Sequence, residues 1–113
     1  VMVGHITMTA IDSERPASLS REVVTGLLRE KLGWDGVVIT DGLEMGALDG
    51  YGMGERCVMA LEAGVDILLG PDDIPGVVQA VTEAVQSGRL TERQIDESVL
   101  RVLSLKLDYL GEF

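Results

Sequence analysis

The sequence predicts an α/β chain of three consecutive β/α units with parallel strands, forming either part of a barrel or a small open sheet. Three observations carry this reading. Short β-prone runs at residues 1–6, 37–40 and 65–69 alternate with helical patterns. They recur at roughly thirty residues, the spacing of crossover connections that leave strands parallel. The joins also echo each other: Leu32-Gly33-Trp34-Asp35-Gly36 precedes one strand, and Ala63-Gly64-Val65-Asp66-Ile67 leads into the next. Three units cannot close an eight-stranded barrel, which takes roughly 250 residues, so strand edges are expected to stay open.

Each element has its own local justification. The first strand gives way to a polar loop with Asp12, Ser13, Arg15 and Pro16. A helix over residues 19–32 follows, with Val23, Val24, Leu27, Leu28 and Leu32 on one face. Ser18 or Ser20 is its expected N-cap and Gly33 its stop. The second strand opens into a glycine-rich loop from Gly42 through Gly54, and its helix ends at Ala63 before Gly64. After the third strand, Gly70-Pro71-Asp72-Asp73 turns the chain into a helix over residues 75–86 that tolerates Pro75 in its first turn and stops at Ser87-Gly88. Thr91-Glu92-Arg93-Gln94 has the spacing of a capping box and starts a last helix, with Ile95, Val99, Val102 and Leu103 on one face.

The bulk numbers bound the function. A chain of 113 residues has room for one modest domain, and 46% hydrophobic residues permit a real core. Nine basic against 19 acidic residues give a formal charge of -10. That balance argues against nucleic acid as a partner and equally disfavours an anionic membrane surface. No apolar stretch reaches membrane-spanning length. Cys57, the single cysteine, has no disulfide partner and reads as a small core residue on a helix. The chain opens on Val1-Met2-Val3, already strand-like, as if cut from something longer.

Asp41 is the leading candidate for chemistry. In Gly36-Val37-Val38-Ile39-Thr40-Asp41-Gly42-Leu43-Glu44-Met45 it ends an apolar strand and begins a turn. That places a carboxylate at the strand's carboxyl end, the edge at which α/β folds assemble active sites. Aspartate is equally common as a turn residue or helix cap, and the local pattern alone leaves both roles open. His5, near the first strand's end, and Asp72 and Asp73, after the third, are expected on the same face and in reach of a shared pocket. A metal site built from His5, Asp41 and Asp72 or Asp73 is the weaker alternative, because one histidine with scattered carboxylates has no motif spacing. Response-regulator receiver domains also carry an aspartate at a strand tip, but they need an acidic pair on the first strand and a lysine at a later tip. Here the first strand ends in Gly4-His5-Ile6, and the only lysines, Lys31 and Lys106, fall on helices.

Taken in order, the segments resemble the family 3 glycoside hydrolases. Met2-Val3-Gly4-His5-Ile6, Glu14-Arg15-Pro16-Ala17-Ser18-Leu19-Ser20-Arg21-Glu22 and Gly33-Trp34-Asp35-Gly36-Val37-Val38-Ile39-Thr40-Asp41 carry the likeness, the last most tellingly. Ala60-Leu61-Glu62-Ala63-Gly64-Val65-Asp66-Ile67-Leu68-Leu69 and the helical end at Gly88-Arg89-Leu90-Thr91 and Ile95-Asp96-Glu97-Ser98-Val99 extend it over essentially the whole chain. The resemblance implies the last three β/α units of a TIM-type (β/α)8 catalytic barrel, left incomplete by this chain. It also implies a carbohydrate substrate, with no cofactor and no metal. Asp41 would be the catalytic nucleophile of a retaining β-glycosidase.

Gly42 after Asp41, and Gly4-His5-Ile6 in the first segment, are more similar to the β-N-acetylhexosaminidase branch than to the β-glucosidase branch, which usually has tryptophan after the nucleophile. In that branch His5 would line the sugar pocket with Met45 packed beside it, although core packing is the commoner fate of a methionine. The Asp-His acid/base dyad of the hexosaminidase branch, with its Pro-Gly-His-Gly-like segment, does not occur in these 113 residues. Two readings therefore stand: a piece of a glycosidase whose acid/base lies elsewhere, or a non-catalytic half-barrel that self-associates or binds sugar weakly.

Overall fold

A computed structural model describes residues 1–112. Two short parallel strands lie at its centre, β1 (Met2–Val3) and β2 (Ile39–Thr40), paired Met2 to Ile39 and Val3 to Thr40. Around them follow a 3-10 turn (Ala17–Leu19), a π-helix (Glu22–Lys31), a second 3-10 turn (Gly46–Leu48), and the helices α1 (Met53–Ala63), α2 (Ile74–Gln86) and α3 (Glu92–Leu110). The α/β alternation and the parallel pairing are as the sequence predicts.

The strands are shorter than expected for identifiable reasons. Beyond Val3 the extended chain turns its carbonyls toward the loop: Gly4 O accepts from Ser18 N–H (3.2 Å) and Ile6 O from Ala17 N–H (2.8 Å). The expected third strand makes a single bridge, Ile39 to Ile67. A continuing ladder would bring Leu69 N–H to the Thr40 carbonyl. The buried Thr40 hydroxyl intercepts that donor at 3.1 Å, and Leu69 O turns to Leu43 N–H (2.9 Å) instead.

The first helix also departs from expectation. It winds with i→i+5 bonds, ending with Leu32 N–H on Leu27 O (2.9 Å). Three β-branched residues, Val23, Val24 and Thr25, followed by Gly26, lower its preference for tight α-turns. A wider helix takes more residues per turn, so a face read at 3.6 residues drifts. Val23 and Val24 are buried as predicted, but Leu32 is 67% exposed. Arg21 rather than Ser20 directly precedes the helix; Ser20, one residue earlier, accepts Val23 N–H at its hydroxyl (3.3 Å), and Gly33 closes the end at φ +75°.

The main core joins Val24, Val38, Leu43, Leu48, Cys57, Ala60 and Val65, with Val58, Ala84 and Leu90 in a satellite cluster between α1 and α2. Two glycines permit this packing. A Cβ on Gly54 would lie 2.9 Å from Ala80 Cβ, so α1 and α2 meet there backbone to side chain. Gly64 ends α1 at φ +113°, and a Cβ there would lie 2.6 Å from Thr25 Oγ1. Asp73 caps α2 through Gly76 N–H (3.1 Å), and Thr91 and Gln94 form the expected capping box.

The apolar face expected on α3 stays out of the core: none of its residues is buried, and Val99 is 48% exposed. α3 docks instead through polar groups, Ser98 and Arg101 reaching Asp66, while Val99, Val102 and Leu103 face Leu61, Ile67 and Leu68 across a concavity of about 360 Å³. Among the described residues no helix is long and apolar enough to cross a membrane.

Cys57 is fully buried in the main core, as its sequence setting predicts. Burial pushes its thiol up to about 11, Arg56 opposing this and Asp72 adding to it. The thiolate is the reactive form, so Cys57 is expected to stay unmodified by a thiol reagent at pH 8 until the chain unfolds, as followed by Ellman absorbance with and without denaturant. Because the folded value lies above the unfolded one, the stability linked to this thiol is present below about pH 9 and is lost as pH rises through about 11.

Candidate active site at the strand tips

Asp41 leaves β2 at its carboxyl end. Its N–H still donates to Val3 O (3.0 Å), so the backbone is locked into the sheet up to this residue. The half-buried carboxylate accepts one hydrogen bond, from Gly42 N–H to Oδ1 (2.7 Å). Among the described residues no Lys, Arg or His forms an ion pair with it. It caps no helix: the nearest helical turn, Gly46–Leu48, has Met45 as its N-cap. A carboxylate on a rigid backbone, its second oxygen without a partner among the described residues, is placed to attack an electrophile.

His5 is buried and spans two elements. Its Nδ1 lies 2.6 Å from Ser18 Oγ and its Nε2 lies 2.8 Å from Gly42 O. A carbonyl only accepts, so Nε2 carries the proton; in the neutral ring Nδ1 then accepts from the Ser18 hydroxyl. Both nitrogens are engaged within the chain, and His5 is attached directly to the residue after Asp41.

The loop that follows is held by a second clamp. Arg56, buried on α1, donates Nη1 to Leu43 O (2.7 Å) and both Nε (3.0 Å) and Nη2 (2.6 Å) to Tyr51 O. The consecutive carbonyls of Gly42 and Leu43 are thus each fixed by a side chain from a different element. Met45, predicted beside His5, stands 46% exposed on this loop and is not core; a Cβ on Gly42 would meet its Cγ at 3.7 Å.

The other acids divide by role. Asp73 is spent capping α2, and Asp72 is exposed in the preceding turn. Among the described residues no three His, Cys, Asp or Glu groups come together to hold a metal ion. Five concavities among the described residues, including one of about 770 Å³ between Val1, Trp34, Ile67 and the α3 residues Leu100 and Leu105, are lined by residues other than Asp41, His5 and Met45.

Three residues that matter structurally escape the sequence reading. Ser18 was legible only as a possible cap, and Arg56 was not singled out. Asp66 sits inside the third apolar run, and a charge in that setting was the available signal. Its fully buried carboxylate accepts from Arg29 Nη2 (2.8 Å), Val38 N–H (2.9 Å), Ser98 Oγ (2.7 Å) and Arg101 Nη1 (2.9 Å).

Residues 1–105 match the model of the glycosyl hydrolase family 3 N-terminal domain. The chain is 38% identical over 111 residues to an uncharacterised secreted glycosyl hydrolase of Arthroderma benhamiae, covering 94% of this chain and 31% of that protein. It is 36% identical over 115 residues to the beta-hexosaminidase LpqI of Mycobacterium tuberculosis, covering 94% of this chain and 29% of that one. Among solved structures it superposes on a family 3 β-N-acetylglucosaminidase from Paenibacillus sp. with a TM-score of 0.81 and 48% identity, over 87% of this chain and 20% of that one. The β-N-acetylglucosaminidase of Thermotoga maritima gives a TM-score of 0.85 at 33% identity, over 96% of this chain and 25% of that one. These neighbours are family 3 domains of TIM-barrel type. The chain spans less than a third of the length of each of these four relatives. On the match from residue 1 to residue 105, the chain belongs to glycosyl hydrolase family 3, within its N-terminal domain.

Proposed function

We propose that these residues form the last three β/α units of the catalytic (β/α)8 barrel of a retaining β-N-acetylhexosaminidase, with Asp41 as its nucleophile. The observation that carries the reading is the rigid presentation of Asp41, anchored to β1 through its backbone at 3.0 Å while one carboxylate oxygen has no partner among the described residues. The names of the relatives support the sugar class, since a β-hexosaminidase and β-N-acetylglucosaminidases recur among them.

In this mechanism the ionised Asp41 attacks the anomeric carbon, the glycosidic C–O bond breaks and a covalent glycosyl intermediate forms. A second group about 5 Å away protonates the departing oxygen, then draws a proton from the water that releases the sugar. Asp73 is committed to its helix cap and Asp72 is solvated, so the acid/base is supplied from outside these 113 residues. His5 lines the sugar pocket with its ring while both nitrogens hold the loop, and half-exposed Met45 packs against the sugar's apolar face.

A fluorinated mechanism-based glycoside, reacted with the full-length protein and followed by peptide mass spectrometry, is expected to leave its adduct on Asp41. An adduct on any other residue would rule the assignment out. The isolated 113-residue chain is expected to hydrolyse aryl β-glycosides at or near the background rate, because losing the proton donor alone costs about 10²–10⁴-fold. Turnover by the purified chain that disappears in Asp41→Ala would contradict this.

A second reading, a non-catalytic half-barrel that self-associates, is favoured by the exposure of Ile6, Val78, Leu100 and Leu110, each above half of its surface. A well-behaved monomer on size-exclusion chromatography would count against it.

A further inference from the structure

The geometry points to Ser18 as a positioning residue for Asp41, acting through His5 on the Gly42 peptide. The inference rests on the reading of Asp41 as nucleophile. It starts from the chemistry of the imidazole. The Gly42 carbonyl at 2.8 Å fixes the proton on Nε2, and in the neutral ring this leaves Nδ1 as a lone pair. The Ser18 hydroxyl, 2.6 Å away, is the donor that matches this lone pair, so the serine selects the tautomer that grips Gly42.

Ser18 is itself immobilised. It is fully buried, its N–H donates to Gly4 O (3.2 Å), and the neighbouring Ala17 N–H donates to Ile6 O (2.8 Å). The carbonyls on both sides of His5 are therefore tied to the segment that carries the serine. On the far side, Gly42 has the freest backbone of any residue type, and it links the Asp41 carboxylate to the anchored Leu43. Its N–H holds Asp41 Oδ1 (2.7 Å), and Leu43 N–H is fixed to Leu69 O (2.9 Å). The Gly42 carbonyl and the Leu43 N–H belong to one peptide plane, which His5 and Leu69 hold from its two edges. A buried histidine satisfied by ordinary packing can find its acceptor anywhere. Here it reaches across 37 positions of sequence to the residue beside the nucleophile.

The test compares Ser18→Thr with Ser18→Val in the full-length protein. The two side chains have the same shape and impose the same crowding at a buried site, so their difference isolates the hydroxyl. At saturating mechanism-based glycoside, Ser18→Val is expected to label Asp41 about ten- to a hundredfold more slowly than Ser18→Thr, the range expected for a nucleophile displaced by a fraction of an ångström. The concentration giving half-maximal labelling is expected to agree within about twofold, the mark of a lost transition-state interaction with binding unchanged. Equal labelling rates in the two variants, whatever their melting temperatures, would reduce Ser18 to a packing residue and overturn the inference. A wild-type adduct on a residue other than Asp41 is the separate result that sinks the reading beneath it. A measurement independent of turnover uses the full-length protein: the ring ¹⁵N shifts of His5 are expected to report the Nε2–H tautomer, and a predominant Nδ1–H or doubly protonated form would also overturn the inference.

Discussion

Asp41→Asn in the full-length protein is expected to abolish covalent labelling and to lower kcat/KM for an aryl β-N-acetylhexosaminide by about four orders of magnitude or more. The amide keeps the carboxylate's shape and can still accept from Gly42 N–H, so the loop remains in place while the charge proposed to attack is removed. Of the nearby acids among the described residues, Asp73 caps α2, and Asp72, Glu44 and Asp49 are exposed on their loops. Asp41 is half-buried with one local side-chain hydrogen bond, and stability is therefore expected to change by no more than about 0.5 kcal/mol. Steady-state kinetics and a melting curve on the same preparation separate the two effects. A variant within tenfold of wild type would remove Asp41 from the chemistry.

Asp66→Ala is expected to be the most damaging substitution for stability. Its carboxylate is fully buried and gathers four donors from three places in the chain: Arg29 on the π-helix, Val38 before β2, and Ser98 and Arg101 on α3. The pairs are largely shielded, with Arg29 12% and Arg101 28% exposed. Removing the acid leaves two guanidinium groups and one backbone N–H without their partner. Breaking a buried pair in this way costs about 3–5 kcal/mol, against total stabilities of about 5–15 kcal/mol for a domain. Urea unfolding of the chain should show the loss directly, and melting should fall by roughly 4–8 °C per kcal/mol lost. Asp66→Asn keeps the shape and one strong acceptor, so a smaller loss is expected. A change below about 1 kcal/mol in Asp66→Ala would mean that the desolvation cost of the buried charges cancels their attraction.

By contrast, the exposed cluster that Arg89 makes with Glu55 and Glu62, at 2.7 Å to each, ties the α2–α3 turn to α1 without much stability. Arg89 holds the Glu55 carboxyl below its usual range, which places the linked stability above that range and removes it in acid. Solvent screening keeps it small, because Arg89 and Glu55 are 38% and 46% exposed.

Much of the fold was legible because its signals are local. Gly64 and Gly88 stop helices at φ +113° and +83°, Thr91 and Gln94 close a capping box, and Pro75 sits in the first turn of α2. Each follows from backbone preferences within three or four residues. Asp41 at a strand tip was legible for the same reason: an apolar run ending in Asp-Gly specifies both the strand and its end. Cys57 was placed in the core by the periodicity of its own helix.

What the sequence by itself determined was the alternation of elements, their punctuation and the candidate carboxylate. Only the tertiary structure decided which donors meet which acceptors across long loops. Those meetings shortened the ladder at Thr40, turned α3 onto Asp66 rather than into the core, and tied His5 to Ser18 and Gly42. The physical reason lies in distance along the chain. Capping and periodicity act over one helical turn and leave a mark in composition, whereas a hydrogen bond closed over 28 or 37 residues depends on how whole elements pack.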